Sequence, residues 1–250
     1  MLLGEFSEQL NRYLKSDFFQ DYGPNGIQVE GKEEVHRIAT AVSANLKTIQ
    51  MAIDKHCDAL VVHHGLFWNG DPYPIRGAKK KKIKLLLDNQ ISLLAYHLPL
   101  DAHQEIGNNW KAAQDLGWEN LESFKSRKGM DIGVKGRFKS IFIEHFIKTL
   151  ETYYEHPAHL ALGGKEYLEN AALISGGAYR ELIVVAEAGI DCFITGNFDE
   201  PAWAMAYEEN IHFLALGHSA TERVAPKALA EYLSREMKLD SEFIDVQNPF

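Results

Sequence analysis

Ala59-Leu60-Val61-Val62-His63-His64-Gly65-Leu66-Phe67-Trp68 is the stretch around which the rest of the chain is organised. Its first four residues are apolar and predict a buried strand, which ends at two adjacent histidines and a glycine. Neighbouring side chains of a strand point to opposite faces, so both imidazoles reach one site only if the chain turns there, as Gly65 permits. Ligands bind at the carboxyl ends of strands in α/β sheets. Taken alone, the His63-His64 pair is more typical of two surface histidines than of a binding site. Three further stretches of the sequence favour a binding site.

The composition limits the class of protein. The chain has 250 residues, of which 46% are hydrophobic and 24% charged, which suits one large or two smaller globular domains. No apolar run approaches the roughly 20 residues of a membrane span, and the first residues do not resemble a signal peptide. Two cysteines, Cys57 and Cys192, make no disulfide framework, which favours the reducing cytoplasm. The net charge of -9 disfavours binding to nucleic acid or acidic membranes.

Strand and helix signals alternate along the chain and predict a layered α/β architecture with mixed or largely parallel sheets. Helices are expected at 4–16, 45–56, 78–89, 108–116, 140–151, 178–189, 200–209 and 218–237. Strands are expected at 36–43, 59–62, 91–96, 131–138, 157–162, 171–175, 191–196 and 211–216. Asn45 is a candidate helix cap, residues 21–29 read as a loop rich in turn formers, and Pro99 is expected to stop regular structure.

A change to polar and charged residues around 119–132 predicts a boundary near residue 125. We therefore expect two α/β lobes. The amino-terminal lobe, 1–125, carries His63, His64, His97 and Asp101. The carboxyl-terminal lobe, 126–250, carries His218 and Glu222.

Six potential metal ligands lie just beyond predicted strand ends: His63, His64, His97, Asp101, His218 and Glu222. His218 and Glu222 are four residues apart at the start of a predicted helix and therefore share a face. Imidazole and carboxylate without thiolate suit Zn, Fe, Mn, Ni or Co. Six candidates exceed a catalytic tetrahedral site, which uses three protein ligands and a water. They suffice for two ions about 3.5–4 Å apart, bridged by a carboxylate and a water.

Other candidates have competing interpretations. His36, His56, His145 and His212 suit ordinary packing or surface positions. His103, His156 and His159 stay undecided, with His103 nearest the expected site. The run 79–82 of four lysines could contact phosphates, although a solvated helix surface is favoured. The turn at 175–177 exposes backbone N–H groups that attract anions, or serves only close packing.

Several strings together resemble the family of GTP cyclohydrolase I type 2 homologues, also called Nif-three-like proteins. The resemblance covers essentially the whole chain, and the combination of strings is more specific than any one of them. The strings are Asn25-Gly26-Ile27-Gln28-Val29, 62–68, Tyr96-His97-Leu98-Pro99-Leu100-Asp101-Ala102-His103, Gly107-Asn108-Asn109, Ser175-Gly176-Gly177, Thr195-Gly196 and Gly217-His218-Ser219-Ala220-Thr221-Glu222-Arg223.

The resemblance implies a two-lobed α/β protein with a dinuclear metal site between the lobes, assembled as a homohexameric ring. It implies two divalent metal ions per chain. The implied ligands are His63, His64, Asp101, His218 and Glu222, with Glu222 the natural bridge. His97 is implied as a ligand or as a nearby acid or base. One departure is Asn197, where relatives often place an acidic residue directly after the glycine.

Two classes of function follow. The first is a metal-dependent hydrolase that uses an activated water on a nucleotide or phosphate ester. Its sharpest form is opening of the GTP imidazole ring at C8, as the family name implies, with His97 or His103 as the catalytic proton shuttle. The second is a non-enzymatic metal-binding or regulatory ring protein. Nucleic-acid binding through the ring is disfavoured by the net charge.

Overall fold

The computed structural model describes residues 1–125 and 131–250. The α-helices of these ranges are α1 (Leu3–Leu14), α2 (Leu46–Asp54), α3 (Gly77–Asp88), α4 (Leu98–Ala102), α5 (Asn108–Asp115), α6 (Ile143–Tyr154), α7 (Leu182–Glu187), α8 (Glu200–Glu208), α9 (His218–Thr221) and α10 (Val224–Arg235). The strands are β1 (Gly26–Val29), β2 (Arg37–Ser43), β3 (Ala59–His64), β4 (Ser92–Ala95), β5 (Glu119–Lys125), β6 (Asp131–Phe142), β7 (His159–Leu162), β8 (Tyr167–Leu173), β9 (Cys192–Thr195), β10 (His212–Ala215) and β11 (Asp240–Phe243).

These elements confirm the mixed α/β class. The cap prediction is also confirmed, because the Asn45 side chain accepts a hydrogen bond of 2.8 Å from the Thr48 N–H.

Three local expectations were wrong. Part of the predicted loop 21–29 is strand β1, which forms by pairing antiparallel with β4. Pro99 does not stop regular structure but lies in the first turn of α4, where a missing N–H costs no intrahelical hydrogen bond. The predicted helix 218–237 is broken between α9 and α10.

Two compact units account for the chain. Unit 1 comprises Met1–Leu100 and Ala225–Gln247, and unit 2 comprises Asp101–Val224 and Asn248–Phe250. Their extents differ from the lobes 1–125 and 126–250, because β11 returns to pair parallel with β2 and β5 pairs with β6 in the sheet of unit 2. The predicted boundary adjoins residues 126–130, which lie outside the described part of the chain, and it stays a prediction.

Unit 1 is built on a five-stranded sheet in the order β1-β4-β3-β2-β11, parallel except at β1. On one face, Ile49 of α2 and Leu86 of α3 pack against Leu60 and Val62. On the other, the hydroxyl of buried Thr40 donates to the Pro226 carbonyl at the start of α10, at 2.7 Å. The central strand β3 is therefore covered on both sides, which explains its unbroken apolar run.

Unit 2 is built on a six-stranded sheet in the order β5-β6-β8-β9-β10-β7. Only the pairs β8–β9 and β9–β10 are parallel among its described strands. One apolar cluster includes Phe146 and Leu150 of α6, and a second includes Val185 of α7 and Ala202 of α8. The sheet thus has a hydrophobic core on each face, and its parallel strands present their carboxyl ends at Thr195 and Ala215.

Within the described residues, no helix combines the length and apolar character needed to cross a bilayer. Cys57 and Cys192 are both buried free thiols. Burial raises the pKa of the Cys57 thiol to about 11 and that of Cys192 well above its ordinary value, so both stay protonated at neutral pH.

Candidate metal centre

Three imidazoles converge in unit 1. Potential ligand atoms of His63, His64 and His97 all lie within 4.8 Å of one another, and we call these residues the three-histidine cluster. The His63 and His64 ring centroids are 4.5 Å apart, and that of His97 is 4.8 Å from His63 and 5.6 Å from His64. Imidazole nitrogens at this spacing could hold a metal ion.

Strand pairing explains why these histidines meet. The β3–β4 pairing ends at Val62 opposite Ala95, so the chain reaches the three histidines just past the shared part of the two strands. His63 is fully buried, and the Nδ1 of His64 lies 3.0 Å from the Ser43 hydroxyl at the end of β2. The site therefore stands at the carboxyl end of parallel strands, as expected for α/β sheets.

Gly65 serves close approach at this strand end. A Cβ at Gly65 would lie 2.2 Å from the side-chain oxygen of Gln28, which accepts a hydrogen bond of 2.7 Å from the Leu66 N–H. Gln28, in β1, thereby holds the segment after the histidines.

Asp21 is a partner of His97 that the sequence did not reveal. One carboxylate oxygen lies 2.7 Å from His97 Nδ1, and the other accepts the Leu98 N–H at 2.8 Å. The Asp21 side chain is only 2% exposed. Burial opposes its ionisation, but the hydrogen bond and charge of His97 and the N–H groups of Leu98 and Tyr22 outweigh burial and lower the pKa of Asp21 below its ordinary value.

Unit 2 contains the remaining predicted ligands, Asp101, His218 and Glu222, which we call the acidic cluster. Asp101 and Glu222 are buried, at 7% and 3% exposure, and potential ligand oxygens of the two lie within 4.8 Å of each other. His218 Nε2 lies 3.1 Å from Glu222 Oε1. His218 and Glu222 are one turn apart at the two ends of the short helix α9. The prediction that they share a helix face is therefore confirmed, although the helix is broken between α9 and α10.

Asp101 is held by polar partners on other elements of unit 2. Its Oδ1 accepts from Asn108 Nδ2 at 2.9 Å and from the Ser175 hydroxyl at 2.8 Å. Asn109 supports the same turn, because its Oδ1 accepts from the Ser175 N–H at 2.7 Å. These bonds orient the carboxylate, as outer partners of metal ligands commonly do.

Gly176 lets Glu222 approach the turn at 175–177. Its φ is +66°, and a Cβ there would lie 2.3 Å from Glu222 Oε1. Its carbonyl accepts hydrogen bonds from Gly196 N–H and from the Thr195 hydroxyl. A carboxylate this close disfavours an anion, so the turn serves close packing rather than anion binding.

Asn197 contacts His218. Its Oδ1 lies 3.1 Å from His218 Nδ1, on the opposite side of the ring from Glu222. The position where the resemblance implied an acidic residue is thus occupied by a partner of a predicted ligand, and sequence spacing could not show this contact.

Other predicted residues lie elsewhere. His103 Nδ1 accepts the N–H groups of Glu105 and Ile106 at 3.2 and 3.3 Å, which closes a turn after α4. Over the described ranges it joins none of the potential ligand groups. Lys79 is paired with Asp71 at 2.9 Å, whereas Lys80 and Lys81 are exposed, in line with a solvated helix surface.

Comparisons with known proteins agree along the whole chain. The family model described as Duf34/NIF3 (NGG1p interacting factor 3) matches residues 1–249. A Chlamydia muridarum protein named GTP cyclohydrolase 1 type 2 homolog is 53% identical over 253 residues, covering 100% of both chains. A Haemophilus influenzae protein of the same name is 40% identical over 247 residues, covering 98% of both.

Solved structures show the same fold. A protein named ybgI, described as of unknown function, superposes with a TM-score of 0.94 at 36% identity and covers 100% of both chains. A Thermus thermophilus protein superposes with a TM-score of 0.90 at 31% identity, again over 100% of both. The resemblance drawn from the motifs is therefore confirmed, and the chain belongs to the Duf34/NIF3 family.

Proposed function

We propose that this protein is a metal-dependent hydrolase that acts on a nucleotide or phosphate ester. The observation that carries the proposal is the pair of buried carboxylates, Asp101 and Glu222, whose oxygens approach within 4.8 Å. Two buried like charges repel each other and have lost much of their hydration, so a cation beside them would offset both costs.

The donor set fits divalent transition ions. The residues that would hold the ions are His63 and His64 of the three-histidine cluster and the whole acidic cluster. All are nitrogen or carboxylate donors, and the buried thiols of Cys57 and Cys192 remain protonated away from the set. This chemistry suits Zn, Fe, Mn, Ni or Co.

The reaction divides between the ions and the side chains. Bound ions would supply acidification of a water and polarisation of a phosphoryl or ring-carbon electrophile. In the proposal, His97 exchanges protons during the hydrolysis, and Asp101 is kept in position by Asn108 and Ser175. His103 as a second proton shuttle stays a prediction.

The names of the relatives supply the first substrate to test. Several are named GTP cyclohydrolase 1 type 2 homolog, so GTP is the first nucleotide to test, followed by simple phosphate esters. Turnover that persists in fully metal-free, folded protein would contradict the hydrolase proposal.

Metal content of Glu222→Ala is the first experiment. We expect about two ions per wild-type chain and a sharp fall in the variant, measured by elemental analysis with folding checked by circular dichroism. Glu231→Ala, on the exposed surface of α10, is the matched control and should retain wild-type metal. A wild-type protein that holds no metal after reloading would overturn the proposal.

Turnover distinguishes the two classes of function. Tight metal binding with no hydrolysis of GTP, other nucleotides or phosphate esters would instead support a non-enzymatic metal-binding protein. We also propose a homo-oligomer of six chains, on family grounds alone, and light scattering coupled to size exclusion tests it.

A further inference from the structure

Asp21 is not one of the proposed ligands, yet the groups around its side chain favour one ionisation state, the carboxylate. Four donors converge on its two oxygens: Oδ1 receives the Tyr22 N–H at 2.7 Å and faces His97 Nδ1 at 2.7 Å, while Oδ2 receives the Leu98 N–H at 2.8 Å and Asn25 Nδ2 at 3.1 Å. Backbone and amide N–H groups can only donate. The surroundings therefore demand a carboxylate that accepts on both oxygens.

This arrangement decides which nitrogen of His97 carries a proton. A neutral imidazole has one N–H and one lone pair. A lone pair on Nδ1 would face the negatively charged Oδ1 at 2.7 Å, which is repulsive, whereas an Nδ1–H makes a strong charge-assisted hydrogen bond. Nε2 then bears the lone pair.

The rest of the loop keeps the ring in this orientation. Asn25 Oδ1 accepts the His97 N–H at 3.0 Å, which holds the backbone, and the Trp68 ring meets the His97 ring edge-on at 5.2 Å and 88°. Because His97 Nδ1 faces the Asp21 carboxylate, Nε2 is the His97 nitrogen that remains for the other two members of the three-histidine cluster, His63 and His64.

We infer that Asp21 is the positioning residue that holds His97 as its Nδ1–H tautomer and so presents the Nε2 lone pair to the His63–His64 pair. The inference deepens the proposed function and rests on it for the catalytic use of His97. The tautomer itself is a property of the metal-free protein and is tested there.

The test is long-range proton–nitrogen NMR of the metal-free protein labelled with nitrogen-15, above the ordinary imidazole pKa of about 6.5. His97→Gln identifies the His97 signals. We expect wild-type His97 to be the Nδ1–H tautomer and Asp21→Ala to shift it to the Nε2–H form.

Asn25→Ala is the matched control, because it removes a neutral donor to Asp21 Oδ2 and a contact to the His97 backbone but keeps the Asp21 carboxylate opposite His97 Nδ1. It should keep the Nδ1–H tautomer. The inference is overturned if wild-type His97 is the Nε2–H tautomer, if Asp21→Ala leaves the tautomer unchanged, or if Asn25→Ala shifts it as far as Asp21→Ala does. The wild-type spectrum decides the matter even where Asp21→Ala fails to fold.

Kinetics supply the second readout. In the metal-loaded enzyme, Asp21→Ala should lower kcat by tenfold or more with KM and metal content little changed, because proton transfer by a positioned side chain contributes about 100-fold or more. An unchanged kcat would overturn the catalytic use of this tautomer. Absence of turnover in wild type would contradict the proposed function instead, while the NMR result would stand.

Discussion

Asn197 and Asp21 show two ways of holding a histidine that belongs to a potential metal-binding group. Asp21 places a carboxylate on His97, whereas Asn197 places a neutral amide oxygen on His218, at 3.1 Å. A carboxylate partner raises the basicity of an imidazole ligand more than an amide does. We therefore expect His218 to be a weaker metal donor with Asn197 beside it than it would be with a carboxylate there.

Substitution of Asn197 tests this contact. Asn197→Ala removes the acceptor and should weaken metal retention by about tenfold, while Asn197→Asp should strengthen it. Competition with a chelator measures both. Asn210→Ala, an exposed position near the end of α8, should leave retention unchanged, and an effect there equal to that of Asn197→Ala would contradict the role assigned to Asn197.

Gly176 offers a second residue-scale test with an internal control. Gly176 and Gly189 have φ of +66° and +71°, and a Cβ meets Glu222 only at Gly176, since open space surrounds Gly189. Alanine at either position should cost about 1–2 kcal/mol of backbone strain. Only Gly176→Ala should also displace Glu222 and lower metal content.

Thermal unfolding and elemental analysis of the two variants separate strain from displacement. Equal metal content in Gly176→Ala and Gly189→Ala would show that the close approach of Gly176 to Glu222 has no part in metal binding.

At the scale of elements, Asp58 joins the beginnings of two strands. It precedes β3, and its carboxylate accepts the N–H groups of His36 and Arg37, at the start of β2, at 3.0 Å each, and Lys32 Nζ at 2.6 Å. Burial opposes its ionisation, but Lys32 and the two N–H groups outweigh burial and lower the pKa of Asp58 below its ordinary 3.8.

The sign of the pH dependence follows from that direction. A carboxyl group whose pKa is lower in the folded state stabilises the fold fully above its unfolded pKa, and the contribution is lost as the pH falls through the folded value. Asp58→Asn should therefore lower the free energy of unfolding by about 1–3 kcal/mol at pH 7, with a difference that narrows below about pH 4.

Urea unfolding of wild type and Asp58→Asn across pH 3–7 measures the effect. Asp54→Asn, an exposed carboxylate on α2, is the control and should show little change at any pH. A deficit of Asp58→Asn that stays constant down to pH 3 would contradict the charge-based explanation.

For the molecule as a whole, the question is whether the two clusters serve one centre. We predict that His64→Ala and His218→Ala, one from each unit, each lower metal affinity and that the double variant loses less than the product of the two effects, because the ligands of one centre are lost together. Metal titration of the four proteins gives the coupling. Strictly multiplicative losses would mean that the clusters bind ions independently.

Most elements were predictable because their signals are local. The apolar run 59–62, the Asn45 cap and the helical spacing in α1 depend on residues close in sequence, and each led to the observed element. Strand β1 and the break between α9 and α10 were not predictable. The first exists through pairing with β4, and the second follows a helix of only four residues that ends at Thr221, with Glu222 as its C-cap.

The sequence by itself determined the candidate ligand types and the family, because histidines and carboxylates after buried runs and the motifs around them are visible in one dimension. Only the tertiary structure decided which side chains support them. Asp21 lies 76 residues from His97 and Ser175 lies 74 from Asp101, so their contacts arise from strand order and loop packing. The physical reason is that a hydrogen bond needs two groups within about 3 Å of each other. For two residues separated by more than a few helical turns along the chain, their separation in sequence does not tell whether they come that close in space.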